Sequence, residues 1–368
     1  MRWVFVVILG VHGVIHLMGF AKAFGLAELP QLTLPISRPL CVAWLLAAIL
    51  VVASAIAFVA WPRGFWMLGL AALVVSQGVI VTSWLDARFG TIANVLLLLA
   101  VVIGAAMWGP TSARARLERE SSEGLARVRA ASAGAVVTEA DLAALPAPVA
   151  GYLRAAGWLG RPRSAAYHLR FRGRIRGAAD EPWMDFTAEQ QSFADRPTRL
   201  FLMDASMYGL PVQSFHRFAD GHASFEVRIA GLVPIVDARG AELDRAETVT
   251  LFNDMCLLAP TTLLSPEVTY EAIDAHDVLA RFSHGGRTIS ARLTFGDDGL
   301  LRNFVSDDRL RSSRDGSRFT PERFSTPIHE TRAFGPVRLM ARADARWHPP
   351  EGELVYGEFE LLEITFVP

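Results

Sequence analysis

Two histidines, His12 and His16, lie four residues apart within an apolar stretch near the N-terminus. At this spacing both imidazoles project from one face of a helix. Ionisable groups inside an apolar span are costly and usually functional, so one interpretation is a metal, haem or quinone site. The other interpretation is a pair of neutral imidazoles that hydrogen-bond across a helix bundle to hydroxyl and amide side chains.

The lack of further ligands favours the second interpretation. The later apolar stretches contain no histidine, whereas a haem held by two histidines ordinarily takes them from two helices. A metal would need more ligands, and only Gln77 and Asp86 are suitable types nearby. We therefore predict a membrane polar site of His12, His16, Gln77 and Asp86, with no metal and no cofactor. The candidate hydrogen-bond partners are Ser76, Gln77, Thr82 and Ser83.

Later in the chain, His216, Asp254 and Cys256 have the types that could do chemistry. His216 alternates with apolar residues and is expected on an apolar sheet face, where an imidazole needs a partner. Cys256 falls on the apolar side of a predicted helix, where thiols are ordinarily inert. Asp254 falls on the polar side, which predicts a solvated carboxylate. An enzyme would use His216 and Asp254, but the sequence has no common hydrolase, zinc, nucleotide or C-x-x-C motif.

Four apolar stretches in residues 1–110 must position the paired histidines. Each is close to the roughly 20 residues that a helix needs to cross a bilayer. They are Trp3–Phe20, Leu40–Trp61, Phe65–Leu85 and Ile92–Trp108. The first has no small-residue cleavage site after it, so we expect it to be retained. Residues 1–110 are therefore predicted to form a four-span transmembrane domain.

The charge distribution predicts the side of the membrane. Arginines cluster just after the fourth stretch, and the positive-inside rule then favours a bacterial inner-membrane protein with a cytoplasmic soluble domain. A periplasmic domain is the alternative, because large domains can be translocated regardless of charge. The formal net charge of −1 gives no field that would attract nucleic acid. Two cysteines cannot supply a disulfide framework.

Beyond the spans the composition is that of an ordinary soluble domain. Residues 111–137 are rich in Ala, Arg, Glu and Ser, which predicts a linker or helical extension. Residues 138–368 are predicted to form a soluble β-rich domain that starts with two short helices. From Ser164 onward apolar and polar residues alternate between turn signals, which predicts an antiparallel sheet of about ten strands with one apolar face.

The turns also fix the expected register of the hairpins. The first hairpin places Arg174 opposite Asp185, so its arginines are expected to pair with acids across a solvated face rather than bind an anion. The Asp220-Gly221 turn is typical of a tight hairpin and places His216 opposite Phe225 on the apolar face.

A predicted amphipathic helix at 244–259 interrupts the strands. Asp244 and Glu247 have the spacing of a capping box, and Glu247 and Asp254 fall on the polar side of the helix. An apolar helix face in the middle of a sheet is expected to pack on the apolar sheet face. The sequence thus predicts an α+β membrane protein, with a four-helix transmembrane bundle followed by a curved antiparallel β-sheet domain that cups an amphipathic helix.

Several segments together resemble an uncharacterised family of bacterial membrane proteins, in which a domain of unknown function follows four transmembrane helices. They are Val11–Phe24, Ser83–Asn94, Tyr208–Val212 and Phe252–Cys256. The resemblance implies the membrane architecture and carries no activity. At fold level only, the soluble half resembles lipoprotein-carrier half-barrels of the bacterial envelope, which bind acyl chains.

The leading hypothesis is a membrane-anchored binding or carrier module for a hydrophobic or amphipathic small molecule such as a lipid, held between sheet and helix. A filled core is equally compatible with the pattern. The alternatives are a membrane redox or transport protein that uses His12 and His16, and an enzyme on a membrane lipid or envelope precursor. The expected partners are the bilayer and an apolar ligand, and no nucleic acid. The predicted ligand-binding residues are Met203, Met207, His216, Phe225, Phe252, Met255 and Cys256.

Overall fold

The chain forms two compact units, Met1–Ala115 and Arg116–Pro368. A computed structural model describes residues 2–131 and 135–368. Each unit has a buried apolar core of its own.

Apolar helices make up the first unit. They are α1 (Arg2–Ala23), α2 (Arg38–Ala60), α3 (Phe65–Thr82), the one-turn α4 (Trp84–Ala87) and α5 (Gly90–Trp108). Four of them are long and apolar enough to cross a membrane, which confirms an apolar helix at each of the four predicted positions. Apolar residues cover every side of these helices, as expected where the surroundings are hydrocarbon.

Glycines bring α1 close to α2. A Cβ atom on Gly13 would lie 2.6 Å from Val52, and one on Gly19 would lie 2.3 Å from the indole of Trp44. Small residues allow helix backbones to approach closely where dispersion, not hydrophobic burial, holds helices together. The close approach places the Trp44 ring 5.3 Å from that of His16.

Three helices precede the sheet: α6 (Ala113–Ala130), α7 (Glu139–Ala143) and α8 (Ala147–Ala155). Thr138 is the N-terminal cap of α7 and forms a capping box with Asp141. α6 is a continuous helix, and Arg116 Nη1 on it donates to Glu226 Oε1 in the sheet at 2.9 Å. Residues 111–137, for which the sequence predicts either a linker or a helical extension, therefore consist largely of a helix, and most of that helix belongs to the second unit.

A curled antiparallel half-barrel sheet dominates the second unit. In the described residues it has fourteen strands, in the order β6-β5-β4-β3-β2-β1-β16-β15-β13-β10-β9-β8-β7, with β14 beside β15 and a separate β11-β12 pair. The prediction of about ten strands missed mainly short ones, which carry too few residues to show alternation. The strands are β1 (Ala166–Ile175), β2 (Met184–Phe193), β3 (Thr198–Met207), β4 (Leu210–Ala219), β5 (His222–Ile229), β6 (Val233–Arg239), β7 (Val268–Ala272), β8 (Asp277–His284), β9 (Arg287–Phe295), β10 (Leu301–Ser306), β11 (Leu310–Ser312), β12 (Phe319–Pro321), β13 (Phe324–Ser325), β14 (Ile328–Phe334), β15 (Val337–Trp347) and β16 (Leu354–Val367).

The predicted hairpin registers are confirmed, because Arg174 lies opposite Asp185 and His216 lies opposite Phe225. The predicted ion-pair partners of the first hairpin are wrong. Arg174 Nε donates to Glu358 Oε2 at 2.7 Å, since the last strand, β16, flanks β1 on its other side. The arginines are paired on an exposed face as expected, with acids from the far end of the chain.

α9 (Ala241–Leu258) lies inside the curled sheet and is followed by a short 3-10 helix, Pro260–Leu264. The predicted helix start is wrong, because α9 begins at Ala241 and Asp244 is not its cap. Asp244 Oδ1 accepts from the Ala223 N–H and Asp244 Oδ2 accepts from Arg287 Nη2, both at 2.6 Å. These bonds fix the first turn of α9 to β5 and β9.

Candidate functional site

Five ionisable side chains meet between α9 and the concave face of the sheet. Glu247 and Asp254 are seven residues apart on α9 and therefore share a helix face. Arg199 and His216 reach them from the neighbouring strands β3 and β4, and Arg309 comes from the segment between β10 and β11. We call these residues the Glu247 cluster. Its members are Arg199, His216, Glu247, Asp254 and Arg309.

One side of the cluster is tightly bonded. Arg199 Nε donates to Asp254 Oδ2 at 2.6 Å, and Gln190 Nε2 donates to the same oxygen at 2.9 Å. Both charged side chains are nearly buried, with 9% of Arg199 and 13% of Asp254 exposed. The prediction of a solvated Asp254 is wrong, because α9 is covered by the sheet on its polar side as well.

The Glu247 side of the cluster is loosely bonded. Glu247 Oε1 lies 3.5 Å from His216 Nδ1 and 3.6 Å from Arg309 Nη1, and Glu247 Oε2 lies 3.6 Å from Arg199 Nη1. These separations exceed normal hydrogen-bond lengths. Among the residues that the structure describes, neither Glu247 Oε2 nor His216 Nδ1 has a hydrogen-bond partner. A carboxylate that is 4% exposed thus keeps an unused acceptor.

Burial and neighbouring charge set the ionisation of this pair. Burial by itself raises the pKa of Glu247, but His216, Arg309 and Arg199 lower it by more, so the pKa lies below its ordinary value. Burial lowers the pKa of His216, against the opposing effect of Glu247. At neutral pH the cluster therefore holds an ionised carboxylate beside a neutral imidazole.

Apolar side chains surround His216 on the concave face. Its ring stacks on Phe225 with centroids 3.9 Å apart and meets the edge of Phe201 at 5.9 Å. Val227, on the next inward position of β5, is half-buried, as is Phe225 itself. Met203 lies opposite Ser214 in the same layer of the sheet and is buried. The Glu247 carboxylate thus lies next to an apolar surface, formed in part by Phe225 and Val227, that is only partly buried within the protein.

The predicted ligand-binding residues fall into two groups. Met203, His216 and Phe225 lie together on this concave face, and Met207 lies half-buried at the end of β3. Phe252, Met255 and Cys256 instead belong to the packed core under α9.

The core group is closely packed. The Phe252 ring stacks on Phe282 at 5.3 Å and is fully buried. Burial raises the pKa of the Cys256 thiol well above its ordinary value, as expected for an inert cysteine. Cys41 and Cys256 are both buried and unpaired.

Sequence reasoning missed Arg199 and Arg309 and misplaced Glu247. Arg199 alternates with Phe201 and Met203 on the inward face of β3. An arginine at an inward position of an apolar strand face indicates a buried ion pair, and this pattern is visible in the sequence. Glu247 was expected on a solvated helix side, and it is the least exposed member of the cluster. The proposed enzyme pair is not brought together as partners, because His216 faces Glu247 whereas Asp254 binds Arg199.

The first unit holds a second polar group, in which His12, His16, Ser76 and Asn94 are buried. His16 Nε2 and His12 Nε2 lie 2.8 and 3.2 Å from Ser76 Oγ, and His12 Nε2 lies 3.1 Å from Asn94 Oδ1. Asn94 Nδ2 donates to Gln77 Oε1 at 2.9 Å. The histidines therefore bond across the bundle to Ser76, as one predicted partner, and to Asn94, which was not predicted.

Asp86 stands apart from this polar group. Its carboxylate accepts from the Thr33 hydroxyl at 2.7 Å and from the Leu34 N–H at 2.8 Å, which fixes the loop between α1 and α2. No group of three or more His, Cys, Asp or Glu side chains suited to a metal ion occurs within residues 2–131 and 135–368.

Together these features define a class of protein, one with four helices able to cross a membrane and an antiparallel β half-barrel. Residues 135–359 match the model of DUF6544, a family of unknown function, and the chain belongs to that family. This confirms the resemblance drawn from the sequence.

No curated protein matches the chain. Among solved structures, a Vibrio parahaemolyticus domain assigned to outer membrane lipoprotein sorting is similar, with 8% identity and a TM-score of 0.29 over 55% of this chain and 85% of that chain.

Proposed function

We propose that the half-barrel binds an amphipathic small molecule on its concave face and presents it at the membrane in which the apolar helices are embedded. The apolar part of the ligand lies against Phe225 and Val227, and its polar part reaches Glu247. The single observation that carries the proposal is the buried Glu247 carboxylate, whose Oε2 has no hydrogen-bond partner in the described chain.

A buried acceptor without a partner costs free energy, on the order of 1–3 kcal/mol and more for a charged group. A ligand that donates a hydrogen bond to Glu247 Oε2 removes this cost. His216 Nδ1, 3.5 Å from the other carboxylate oxygen, can take part in the same contact. The polar part of the ligand therefore carries a hydrogen-bond donor, such as a hydroxyl, amide or amine.

The charge of the cluster favours an uncharged polar part. Arg199 and Arg309 contribute two positive charges, and Glu247 and Asp254 contribute two negative charges. With His216 neutral these charges sum to zero, so a phosphate or a carboxylate would find no excess cation. A hydroxylated or amide-bearing lipid is the class that fits.

The test is lipid extraction from the purified full-length chain, followed by mass spectrometry. A Val227→Trp substitution fills the half-buried inward position of β5 and should abolish the bound molecule. Arg228→Trp is the matched control, because it puts the same ring on the next residue, where 39% of the arginine side chain is exposed. An equal yield of bound lipid from both variants and the native chain would reject binding on the concave face.

A second candidate function places the working part in the bundle. His16 Nδ1 and Trp44 Nε1 are buried and have no hydrogen-bond partner in the described residues, and the centroids of the two rings lie 5.3 Å apart. A group that accepts from the indole N–H and donates to the imidazole would satisfy both atoms, as a quinol hydroxyl would. Quinol titration of the tryptophan fluorescence tests this candidate, with Trp44→Phe as the variant that should lose the response.

A further inference from the structure

Two neighbouring hairpin tips of the half-barrel expose apolar side chains. Tyr208 is 90% exposed and Leu210 is 47% exposed at the β3–β4 turn. Leu232 and Val233 are 43% and 55% exposed at the β5–β6 turn. The two turns adjoin, because the Ala230 N–H donates to the Pro211 carbonyl at 2.7 Å. We call this the tip surface, and its members are Tyr208, Leu210, Leu232, Val233 and Ile235.

We propose that the tip surface inserts into the interfacial layer of the same bilayer that holds the apolar helices. This inference goes beyond ligand binding and holds whether or not the concave face takes a lipid. The occupant is a lipid surface, as indicated by the lack of charge on the tip surface, by its backbone strain and by its tethering to the apolar helices.

The tip surface carries no formal charge. Neither residues 205–216 nor residues 229–236 contain an Asp, Glu, Lys or Arg, although one residue in five of the whole chain is charged. Protein–protein interfaces ordinarily surround an apolar centre with a polar rim. An uncharged surface of Tyr, Leu, Val and Ile instead matches the boundary between lipid headgroups and hydrocarbon.

The backbone of Tyr208 supports an external partner for its ring. Tyr208 has φ 52° and Gly209 has φ 80°, so both residues of the turn are in the left-handed region. Asn, Asp or Gly is the usual first residue of such a turn, and a non-glycine residue there costs on the order of 1–2 kcal/mol. With 90% of the residue exposed, its own chain offers little packing to offset that cost. Tyrosine rings are favoured where one end of the ring is apolar and the other is wet, as at a membrane interface.

Tethering brings the lipid within reach. The same chain has four helices able to cross a membrane, so the tip surface encounters lipid at a high effective concentration. At this effective concentration, weak insertion of a few side chains is sufficient to keep the tip surface bound to the bilayer for much of the time. A second copy of the chain is the competing occupant, since β6 is the end strand of the sheet and could pair with another edge.

The experiment attaches an environment-sensitive fluorophore to the full-length chain in lipid nanodiscs that contain a nitroxide-labelled lipid. Tyr208→Cys and Leu232→Cys are labelled separately, and the second leaves the tyrosine in place. Asp220→Cys is the matched control, because Asp220 is exposed in a turn of the same backbone kind, with φ 54° at Asp220 and 76° at Gly221, at the opposite end of β4. Both native cysteines are buried, which should protect their thiols from the labelling reagent.

We expect strong quenching by the nitroxide lipid at positions 208 and 232 and weak quenching at position 220, in discs that hold a single chain. Equal weak quenching at all three positions would overturn the proposal. So would a fluorophore response that appears only in discs with two chains, since that outcome identifies a second copy as the occupant. Circular dichroism and thermal unfolding of each labelled chain confirm that the half-barrel is folded.

Discussion

Arg199 of β3 and Asp254 of α9 join the sheet to its central helix through a 2.6 Å hydrogen bond between Nε and Oδ2, with both side chains nearly buried. Seven residues earlier on α9, Glu247 faces the same arginine at 3.6 Å without a hydrogen bond. Asp254 is thus hydrogen-bonded within the fold, whereas Glu247 has a carboxylate oxygen, Oε2, without a hydrogen-bond partner in the described residues. This difference separates the structural part of the cluster from the part proposed to bind.

Replacement of Asp254 should destabilise the half-barrel. Asp254→Asn removes the counter-charge that is hydrogen-bonded to the buried Arg199 guanidinium and leaves only Glu247, at 3.6 Å. Breaking a buried pair in this way typically costs about 3–5 kcal/mol. The free energy of unfolding, measured by denaturant titration of the full chain in detergent with β-sheet circular dichroism, should fall by that order. Glu271→Gln is the control, because its pair with Arg281 is exposed on both sides and is worth about 1 kcal/mol or less. Similar losses in the two variants would mean that the buried pair does not hold α9.

Acidification should destabilise the half-barrel through His216. Its pKa lies below the unfolded value of 6.5 because burial disfavours the charged ring, so below that pH the unfolded chain binds the extra proton. The stability gained from the neutral ring is present above pH 6.5 and falls as the pH drops, by at most about 1.4 kcal/mol per pH unit for one proton. The depressed pKa of Glu247 adds a loss in the same direction below pH 4.5, its ordinary value.

His216→Gln provides the check on this pH dependence. Unfolding free energies of the native chain and the variant are compared between pH 5 and 7, and the slope should be shallower in the variant. Glu247, Arg199 and Arg309 all face the ring and are retained, but the variant also loses the influence of His216 that lowers the pKa of Glu247. Parallel slopes would show that another group titrates with folding in this range.

Local patterns predicted much of this fold because the interactions concerned are local. Alternation and a two-residue turn sufficed to place His216 opposite Phe225, since both lie in one hairpin. Arg174 was assigned the wrong acid because its partner, Glu358, arrives from a strand 184 residues later. No local signal reports which distant strand will flank β1.

The candidate site was predictable only in part, for the same reason. His216 was identified from its place on an apolar face, but Glu247 and Arg309 meet it from elements that are distant in sequence. A helix that packs on a sheet with one side only has a solvated polar side, and the sequence predicted Glu247 on that side. Because the sheet curls around α9, that polar side is buried as well, and its acids need buried cations.

The packing of α6 on the sheet gives a third prediction. A Cβ atom on Gly124 would lie 2.2 Å from the ring of Phe193, which is buried. Gly124→Ala should therefore push the helix from the sheet and cost about 1–3 kcal/mol of unfolding free energy, as overpacking does. Gly151→Ala, in α8, has open space around its Cβ and should be neutral or stabilising by about 0.5–1 kcal/mol. Equal melting temperatures of the two variants would show that α6 is not part of the folded second unit.

The contact of α1 with α2 gives the last prediction. Gly19→Ala would place a methyl group 2.3 Å from the Trp44 ring, whereas Gly10→Ala, on the same helix, meets nothing within 4 Å. The first variant should unfold at a lower SDS fraction than the native chain, and the second should not, because alanine is the better helix former.

The same pair of variants also bears on the bundle histidines. Displacement of the Trp44 indole removes the ring that lies 5.3 Å from His16, while the bond from His16 Nε2 to Ser76 involves the other side of the imidazole. If the bundle works through the unpaired His16 Nδ1, quinol binding should fall in Gly19→Ala even in detergent that keeps it folded. If the polar group only holds the helices together, the loss should appear in stability alone. Ser76→Ala should then add to it by roughly 0.6–1.7 kcal/mol for each hydrogen bond between membrane helices that is lost, and Ser76 bonds to His12, His16 and Asn94.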